Sequence, residues 1–473
     1  MSDARCIGRK CFEMADQETF ARLSGDRNPL HLDPLAARRT QAGVVVVHGV
    51  HAMLWALDCW LEAVPSASVA AIGARFDKFV EVGARIEARA STTRNGTRLE
   101  IYSGRSRLAV FNVRHQAPEI SIREDDSGFS PPNVIDIPAE PRPLDFDDAA
   151  RAAGVMPVRH IAPHFAALRR TIGDAAVDGL AGLSTLVGMI APGLHSILAG
   201  LDITFDERVM SAAGIAFQVE RARPDVRLLD IAVRGRGLAG TVRTFVRSPP
   251  VTQPTMRDMR AMIGAEDFAG RTVLVIGGSR GLGELAAKGL AAGGATVTIS
   301  YLVGRAEAEA VRADIVASGG RCEILRYDAL QDPSLQLEGV MGDVEQLYYF
   351  ATTKIFVRTE DAFDPEIFQR FCQVYVEGFS RICAYLSKRG RSVRVFYPSS
   401  VAVTDRPQAM TEYAMAKAAG EILCADIRRF VPQVDTMMRR LPRLLTDQTA
   451  GTAWIETPSG VDVILDVVRE MSR

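Results

Sequence analysis

The sequence predicts two architectures in one chain: an α+β fold in the N-terminal half, and an α/β fold with a doubly wound parallel sheet in the C-terminal part. The first prediction rests on two blocks of similar pattern, each with a Gly-x-His segment, a Phe-Asp pair and several alternating strands. The second rests on repeated strand–helix units that begin at Thr272. Proline-rich stretches separate the blocks.

The composition is that of a globular protein, since 47% of the 473 residues are hydrophobic and 24% are charged. Lysine plus arginine (56) nearly balances aspartate plus glutamate (57), which argues against nucleic acid or a membrane surface as a partner. Seven cysteines without a Cys-x-x-Cys pair argue against a disulfide framework or a zinc site. The start of the chain has no apolar signal segment, and the most apolar stretch, 42–57, is too short to span a bilayer. We expect a cytoplasmic protein.

Two proline-rich connectors set the predicted domain boundaries. The first is a linker at 121–144, and the second lies at 248–254. We therefore predict domains at 1–120, 145–255 and 262–473.

A buried helix is predicted at the centre of the first block. Val50, Met53, Leu54, Leu57 and Leu61 follow helical spacing, and the opposite side of this helix is apolar as well. A helix that is apolar on every side is buried, so we predict a sheet that wraps around it. The predicted strands of this block are 85–91, 98–102 and 108–113.

The second block repeats this pattern. Its predicted apolar helix follows the segment 192–196 (Pro-Gly-Leu-His-Ser) and precedes the pair Phe205 and Asp206. Its predicted strands are 215–219, 227–233 and 239–246. The alternative is two unrelated α+β units whose Gly-x-His segments match by chance.

The loop from Gly25 to His31 (Gly-Asp-Arg-Asn-Pro-Leu-His) is the most specific signal in the chain. Asp26 and His31 can converge on one water, whose protons the carboxylate and the imidazole would handle as general acid and base. Gly49 starts the central helix, so its unpaired N–H suits an oxygen that gains negative charge. A lone aspartate or histidine in such a loop is usually structural, and the complete loop is what favours catalysis.

This loop, together with Ala37 and the Val-His-Gly segment at 47–49, resembles the R-specific enoyl-CoA hydratases of the MaoC-like hotdog family. The resemblance implies that Asp26 and His31 form the catalytic dyad and that Gly49 donates the oxyanion hydrogen bond. It implies hydration of a trans-2-enoyl thioester or dehydration of the 3-hydroxyacyl form. The N-terminal half then becomes an α+β double hotdog.

The second hotdog is predicted to be catalytically silent and to line an acyl channel. Gly179 stands five residues beyond Asp174, where a catalytic histidine would be expected. His48 and His51 are predicted to be packing residues, and no third metal ligand is evident, so we predict no metal site. The histidines predicted to be structural are His160, His164 and His195.

The third block contains a glycine-rich loop at 277–283 (Gly-Gly-Ser-Arg-Gly-Leu-Gly) between a strand and a helix, a position that suits a pyrophosphate. Tyr413 and Lys417 share a helix face, so the ammonium group can lower the pKa of the phenol. A phenol tuned in this way can give a proton to a carbonyl oxygen held by Ser400, while hydride arrives from nicotinamide.

This block resembles the short-chain dehydrogenase/reductases, which have a doubly wound, Rossmann-like domain. The resemblance implies that Ser400, Tyr413 and Lys417 are the catalytic trio. Arg280, without an aspartate or glutamate at 298–304, favours NADPH over NADH. The implied cofactor-binding residues are Gly277, Ser279, Arg280, Gly281, Leu282, Gly283, Asp328, Ala351, Tyr413 and Lys417.

The third block departs from the pattern of that family at four places. Ile276 replaces a threonine, and 349–352 (Tyr-Phe-Ala-Thr) replaces Asn-Asn-Ala-Gly. The proton-relaying asparagine is replaced by Tyr375, or by Gln373 in a shifted register, and Arg443 replaces the glycine of a Pro-Gly pair. These departures concern rate and proton relay more than cofactor binding.

We predict a bifunctional enzyme that reduces a 3-oxoacyl thioester with NADPH and dehydrates the product to the 2-enoyl thioester. The alternatives are the oxidative direction, a dehydratase with a non-catalytic reductase fold, and a non-catalytic thioester-binding scaffold. The substrate would be carried on CoA or on acyl carrier protein. By resemblance we expect a homodimer or homotetramer, with no metal, nucleic acid or membrane as a partner.

Overall fold

The computed structural model describes residues 4–116, 133–161, 163–206, 209, 214–339, 342–356, 362–450 and 457–473. Contacts between residues divide the chain into two compact units, of which the first runs to Pro249 and the second begins at Pro250. Within the described ranges, no helix is both long enough and apolar enough to cross a membrane.

The first unit contains ten strands and seven helices among its described residues. The strands are β1 (Arg5–Cys11), β2 (Ala71–Phe76), β3 (Arg85–Thr93), β4 (Gly96–Ser103), β5 (Ser106–Arg114), β6 (Ala153–Met156), β7 (Ser196–Phe205), β8 (Ile215–Arg223), β9 (Leu228–Gly235) and β10 (Leu238–Val246). The helices are α1 (Met14–Ser24), α2 (Pro29–Leu32), α3 (Pro34–Arg38), α4 (Gly49–Ala63), α5 (Phe146–Ala150), α6 (Ala166–Ile172) and α7 (Asp174–Thr185). A π-helical turn, Leu186–Ile190, continues α7.

These strands form one antiparallel sheet in the order β1-β3-β4-β5-β2-β7-β10-β9-β8-β6. The sheet consists of two five-stranded halves, which meet where β2 pairs with β7 and Gly73 lies opposite Asp202. Each half carries one long helix, α4 or α7, whose apolar side chains share a single hydrophobic core with the sheet. This arrangement confirms the predicted double hotdog.

The position predicted for the helix of the second half is wrong. Residues 196–205 form strand β7, and the helix is α7, which ends before Gly193. Two features favour a strand here. The segment contains β-branched residues and Gly200, whose Cβ would lie 2.5 Å from the carbonyl oxygen of Ala74, so only glycine allows β7 to approach β2 this closely.

The second unit contains six described strands and nine described helices. The strands are β11 (Thr272–Ile276), β12 (Thr296–Tyr301), β13 (Arg321–Arg326), β14 (Gln346–Tyr349), β15 (Val393–Ser400) and β16 (Val434–Leu441). The helices are α8 (Met256–Arg260), α9 (Gly281–Ala292), α10 (Arg305–Ala317), α11 (Pro333–Gln336), α12 (Pro365–Cys372), α13 (Phe379–Ser387), α14 (Ala402–Asp405), α15 (Thr411–Phe430) and α16 (Gly460–Met471).

The strands of this unit form a parallel sheet in the order β13-β12-β11-β14-β15-β16. Val273 and Val275 of β11 pack into one core, whereas Leu274 and Ile276 pack into another. Both faces of the strand are therefore buried, as a doubly wound sheet requires. The chain order reverses between β11 and β14, so the loops after these two strands border a crevice where ligands bind in such folds.

Candidate active sites

The Asp26/His31 loop has a local origin. Helix α1 ends at Gly25, whose φ of 96° favours glycine, and the chain turns there. Asn28 then caps α2, because its side-chain oxygen accepts a hydrogen bond from the N–H of Leu30 at 3.1 Å. Pro29 occupies the first position of that helix. His31 therefore follows Asp26 within one compact turn.

The structure brings Asp26 and His31 together with His48 in a polar cluster whose first and last members are buried and whose His31 is half-buried. One nitrogen or oxygen atom from each of the three residues lies within 4.8 Å of the other two. Asp26 is 2% exposed, and its carboxylate accepts hydrogen bonds from the hydroxyl of Ser184 at 2.6 Å and the N–H of Asn28 at 3.1 Å. His31 Nδ1 lies 2.7 Å from the carbonyl oxygen of Val46, which orients its ring.

His48 is more than a packing residue. It is fully buried, its ring stacks on His31 with centroids 3.9 Å apart, and its Nδ1 lies 2.9 Å from Gln17 Oε1. The sequence did not reveal a third potential metal ligand beside Asp26 and His31, and His48 supplies one. His51 does pack as predicted, stacked on Phe20 with centroids 4.5 Å apart.

Burial has the largest effect on the pKa values of Asp26 and His31. It raises the pKa of Asp26, although His31, Ser184 and Asn28 favour the carboxylate. It also lowers the pKa of His31, against the attraction of Asp26. Desolvation therefore favours a neutral carboxylic acid beside a neutral imidazole, so the pair can give one proton and accept another.

A cavity of about 70 Å³ opens onto the dyad, which is room for more than one water. Gly49 starts α4 at its wall, so the N–H of Gly49 has no acceptor within the helix. A side chain at Gly49 would approach Phe76 to 3.2 Å, so glycine leaves this donor accessible. Both halves of the sheet contribute to the remaining lining: Leu30, Val46, Val47, Lys78, Phe79, Val80, Val187, Ser196, Ile197 and Leu198.

The second hotdog contacts the Asp26/His31 loop of the first. Ser184 lies on α7 and Gly188 on the π-helical turn, and a Cβ at Gly188 would lie 2.2 Å from Asp26 Oδ1. Asn28 donates to the carbonyl oxygens of Gly188 and Gly193 at 3.0 and 3.1 Å. Sequence reasoning missed Ser184 and Gly188, since no motif connects them to a loop about 160 residues away.

The second hotdog has no room for a dyad histidine at Gly179. A Cβ there would lie 2.7 Å from Leu238 Cδ2. The carboxylate of Asp178 is instead bound by His160 at 2.7 Å and by Arg169 at 3.0 Å.

Burial and the neighbouring guanidinium groups lower the pKa of His195 to about 4, so this ring is neutral at pH 7.

The glycine loop after β11 fits a phosphate group. Side chains are excluded at Gly278 and Gly283, whose Cβ atoms would lie 2.8 Å from Ile299 and 2.2 Å from the carbonyl oxygen of Gly277. Gly281 has a φ of 60°, and a Cβ there would meet no atom within 4 Å. Helix α9 begins at Gly281, so its first N–H groups face this open side.

The other predicted cofactor residues lie around this loop. Gly277 has a φ of 79°, and a Cβ there would lie 3.1 Å from the backbone nitrogen of Ala351. Ser279 is buried, and Leu282 packs on the core of the sheet. Asp328 is half-buried after β13, and its carboxylate accepts the N–H of Leu330 at 2.9 Å.

The structure also gathers Ser400, Tyr413 and Lys417. Ser400 ends β15, Tyr413 and Lys417 lie one turn apart on α15, and Ser400 forms a hydrogen bond with the Tyr413 phenol. Lys417 Nζ donates to the carbonyl oxygen of Pro398 at 2.7 Å and lies 3.9 Å from the ring centroid of Tyr375. The trio therefore occupies one site at the carboxyl edge of the sheet.

The expected lowering of the Tyr413 pKa by Lys417 is not seen. Burial raises the pKa of Tyr413 to about 12, with only the hydrogen bond from Ser400 opposing it. Burial also lowers the pKa of Lys417 to about 7. The ammonium group is directed at the Pro398 carbonyl and the Tyr375 ring rather than at the Tyr413 phenol.

Tyr375, one of the two residues predicted at the position of the missing asparagine, lies beside Tyr413 and Lys417. It lies in a π-helical turn, Gln373–Gly378, between α12 and α13. Such turns often occur at functional sites. Its phenol oxygen lies 2.7 Å from Thr352 Oγ1, and its ring contacts Tyr413 with centroids 5.6 Å apart.

Comparison with known proteins finds two family matches in the chain. Residues 9–111 match the family model of the MaoC like domain, and residues 271–434 match that of the short chain dehydrogenase. No curated protein matches the chain.

Solved structures of dehydrogenases and reductases are similar to part of this chain. FolM alternative dihydrofolate reductase 1 from Brucella canis, complexed with NADP, is 21% identical over 35% of this chain and 71% of that chain, with a TM-score of 0.32. A short-chain dehydrogenase/reductase from Serratia marcescens is 20% identical over 44% and 91%, with a TM-score of 0.39. A dehydrogenase/reductase from Sinorhizobium meliloti is 21% identical over 46% and 92%, with a TM-score of 0.38. The chain thus joins a MaoC-like dehydratase domain at its N-terminus to a short-chain dehydrogenase domain at its C-terminus.

Proposed function

We propose that the chain reduces a 3-oxoacyl thioester with NADPH and dehydrates the 3-hydroxyacyl product to the 2-enoyl thioester. The observation that carries the proposal is the pairing of buried Asp26 with half-buried His31 at a cavity whose wall includes the start of α4 at Gly49. A protein that only binds thioesters needs neither this acid–base pair nor the Ser400/Tyr413/Lys417 trio.

In the dehydration step, the neutral imidazole of His31 takes the proton from C2 of the substrate. Its Nδ1 is occupied at Val46, so Nε2 is the available base. Protonated Asp26 gives its proton to the C3 hydroxyl, the C3–O bond breaks, and water leaves as the C2–C3 double bond forms. The N–H of Gly49 binds the thioester oxygen, on which negative charge develops. Proton return from His31 to Asp26 restores the pair.

In the reduction step, Ser400 holds the carbonyl oxygen of the substrate and the Tyr413 phenol gives it a proton. A nicotinamide cofactor, when bound, would supply the hydride. The glycine loop at 277–283 would hold its pyrophosphate, and Arg280 would hold a 2′-phosphate. Arg280 and the usual role of NADPH as a reductant support the reductive direction, and exclusive use of NADH would reverse that ranking.

The test is an incubation of the full chain with a short 3-oxoacyl thioester and NADPH, with products read by mass spectrometry. We expect wild type to form the 2-enoyl thioester, His31→Ala to stop at the 3-hydroxyacyl compound, and Tyr413→Phe to form neither. His164→Ala removes an exposed histidine of the silent half and serves as the matched control, with unchanged products expected.

A dehydratase with an inactive reductase fold is the second candidate, because Tyr375, predicted at the position of the relay asparagine, presents its ring to Lys417 and its hydroxyl to Thr352. This candidate predicts that an added 2-enoyl thioester is hydrated. It also predicts that no 3-oxoacyl thioester causes NADPH to be consumed. If the folded protein catalysed neither hydration nor reduction, both candidates would be contradicted.

A further inference from the structure

The segment 446–450 is a short folded turn after β16. The N–H of Ala450 donates to the carbonyl oxygen of Thr446 at 2.8 Å, and the N–H of Thr446 donates to Thr449 Oγ1 at 2.7 Å. Arg443 holds the turn from outside through a 3.0 Å hydrogen bond to the carbonyl oxygen of Thr449. These bonds make the turn a defined unit, which we call the strap (446–450).

The strap is attached to both sides of the crevice between β11 and β14. On one side, Asp447 Oδ2 lies 3.4 Å from Arg280 Nη1, in the glycine loop after β11. On the other side, Gln448 accepts from the N–H of Ile355 at 2.8 Å and donates to the carbonyl oxygen of Thr353 at 3.3 Å, in the loop after β14. The strap therefore crosses the place where a dinucleotide would lie.

The ion pair has the properties of a releasable latch. Its carboxylate is 9% exposed and its guanidinium 23% exposed, so water screens it only in part. Asp447 Oδ1 separately accepts the N–H of Val251 at 2.8 Å, which would keep this carboxylate hydrogen-bonded after Arg280 leaves. A phosphate offers Arg280 more negative charge and more acceptors than the carboxylate does, whereas a ribose hydroxyl offers no charge.

We infer that the strap closes the dinucleotide crevice of the cofactor-free chain and that the Asp447–Arg280 pair is its latch. Any dinucleotide must break this pair to bind. A 2′-phosphate gives Arg280 a new anionic partner, and a 2′-hydroxyl does not. This inference rests on the proposed nicotinamide-dependent activity, and it assigns Asp447 and Gln448 to control of cofactor admission.

The test measures equilibrium binding of NADPH and NADH to the full chain by isothermal titration calorimetry, without thioester. Asp447→Asn keeps an acceptor for Val251 but removes the charge, so both cofactors should bind more tightly by the same factor, about threefold for a partly exposed pair. Arg280→Ala also opens the latch but removes the phosphate partner. It should tighten NADH and weaken NADPH.

Asp435→Asn is the matched control, because it removes a carboxylate paired with two arginines at 3.4 and 3.5 Å at the start of β16. We expect it to change neither dissociation constant. If wild type binds the cofactors, unchanged dissociation constants of both in Asp447→Asn, or weaker NADH binding in Arg280→Ala, would overturn the latch.

Hydrogen exchange of the cofactor-free chain tests the latch separately from cofactor use. The N–H of Ala450 should exchange faster in Asp447→Asn than in wild type and Asp435→Asn. Faster exchange without binding of either dinucleotide would contradict the proposed reductase activity and leave the latch in place. Equal exchange in all three proteins would contradict the latch itself.

Discussion

The hydroxyl of Ser184 donates a 2.6 Å hydrogen bond to Oδ2 of Asp26, across 158 residues of sequence. Ser184 belongs to the second hotdog, which has no acid–base pair of its own at the position of Gly179. The half without a dyad therefore positions the carboxylate of the half that has one. This relationship gives a physical reason for two hotdogs in one chain, since neither half contains the whole site.

Ser184→Ala should reduce hydration of a 2-enoyl thioester about 10- to 100-fold, because hydrogen bonds to charged groups contribute about 1.5–3 kcal/mol. The lost bond favours the carboxylate, so its removal raises the pKa of Asp26. In the neutral pair the alkaline limb of the kcat/KM profile reports loss of the Asp26 proton, so this limb should move to higher pH. Thr171→Val removes a hydroxyl that bonds within α6 and should leave the profile unchanged. An unshifted limb in Ser184→Ala would show that Ser184 does not tune Asp26.

Gly188→Ala should lower the rate of hydration by about 100-fold while leaving reduction intact. The new Cβ would lie 2.2 Å from Asp26 Oδ1, so the carboxylate must move, and a displacement of about 1 Å can cost 100-fold in rate. Gly182→Ala in α7 is the control, because the nearest atoms to its Cβ belong to the Val158 and Ile215 side chains, at 3.2 Å or more. Steady-state rates on the 2-enoyl and 3-oxoacyl thioesters check both statements. Full hydratase activity in Gly188→Ala would contradict this geometry.

Tyr375 is expected to act on Lys417 through its ring rather than its hydroxyl. Tyr375→Phe keeps the ring beneath the ammonium and should change reduction by less than about threefold. Tyr375→Leu removes the ring, which favours the charged form, so the pKa of Lys417 should fall below about 7. The alkaline limb of kcat/KM for reduction should then move to lower pH in the leucine variant only. If the alkaline limb moved equally in both variants, the hydroxyl of Tyr375 rather than its ring would be responsible.

Lys417 should make stability depend on pH. Its pKa is about 7 in the folded chain, against 10.5 for a lysine exposed to water, so between these values the unfolded chain binds more protons. Stability should therefore rise with pH from about 7 to 10, by at most ~1.4 kcal/mol per pH unit. Lys417→Met should lose this slope, and Lys388→Met, at a site outside the catalytic trio, should keep it. Thermal denaturation at several pH values checks the prediction, and parallel curves for wild type and Lys417→Met would contradict it.

The sequence predicted those elements that depend on interactions between residues close together in the chain. The all-round apolar helix became α4, the continuous apolar strand became β11, and the Asp26 loop forms from a glycine turn and an asparagine cap within a few residues. The helix of the second hotdog was misplaced because short apolar runs suit either a helix or a strand. Pairing with β2 and β10 decided in favour of strand β7.

The order of residues was enough to specify the two architectures and the residue types of both sites, since motifs and periodicity follow from neighbours along the chain. Folding then selected which groups meet: Ser184 with Asp26, His48 with His31, and Tyr375 with Lys417. It also set the direction of each pKa shift, because desolvation depends on what packs around a group. Burial by distant segments, rather than spacing, raises the pKa of Tyr413 and lowers that of Lys417.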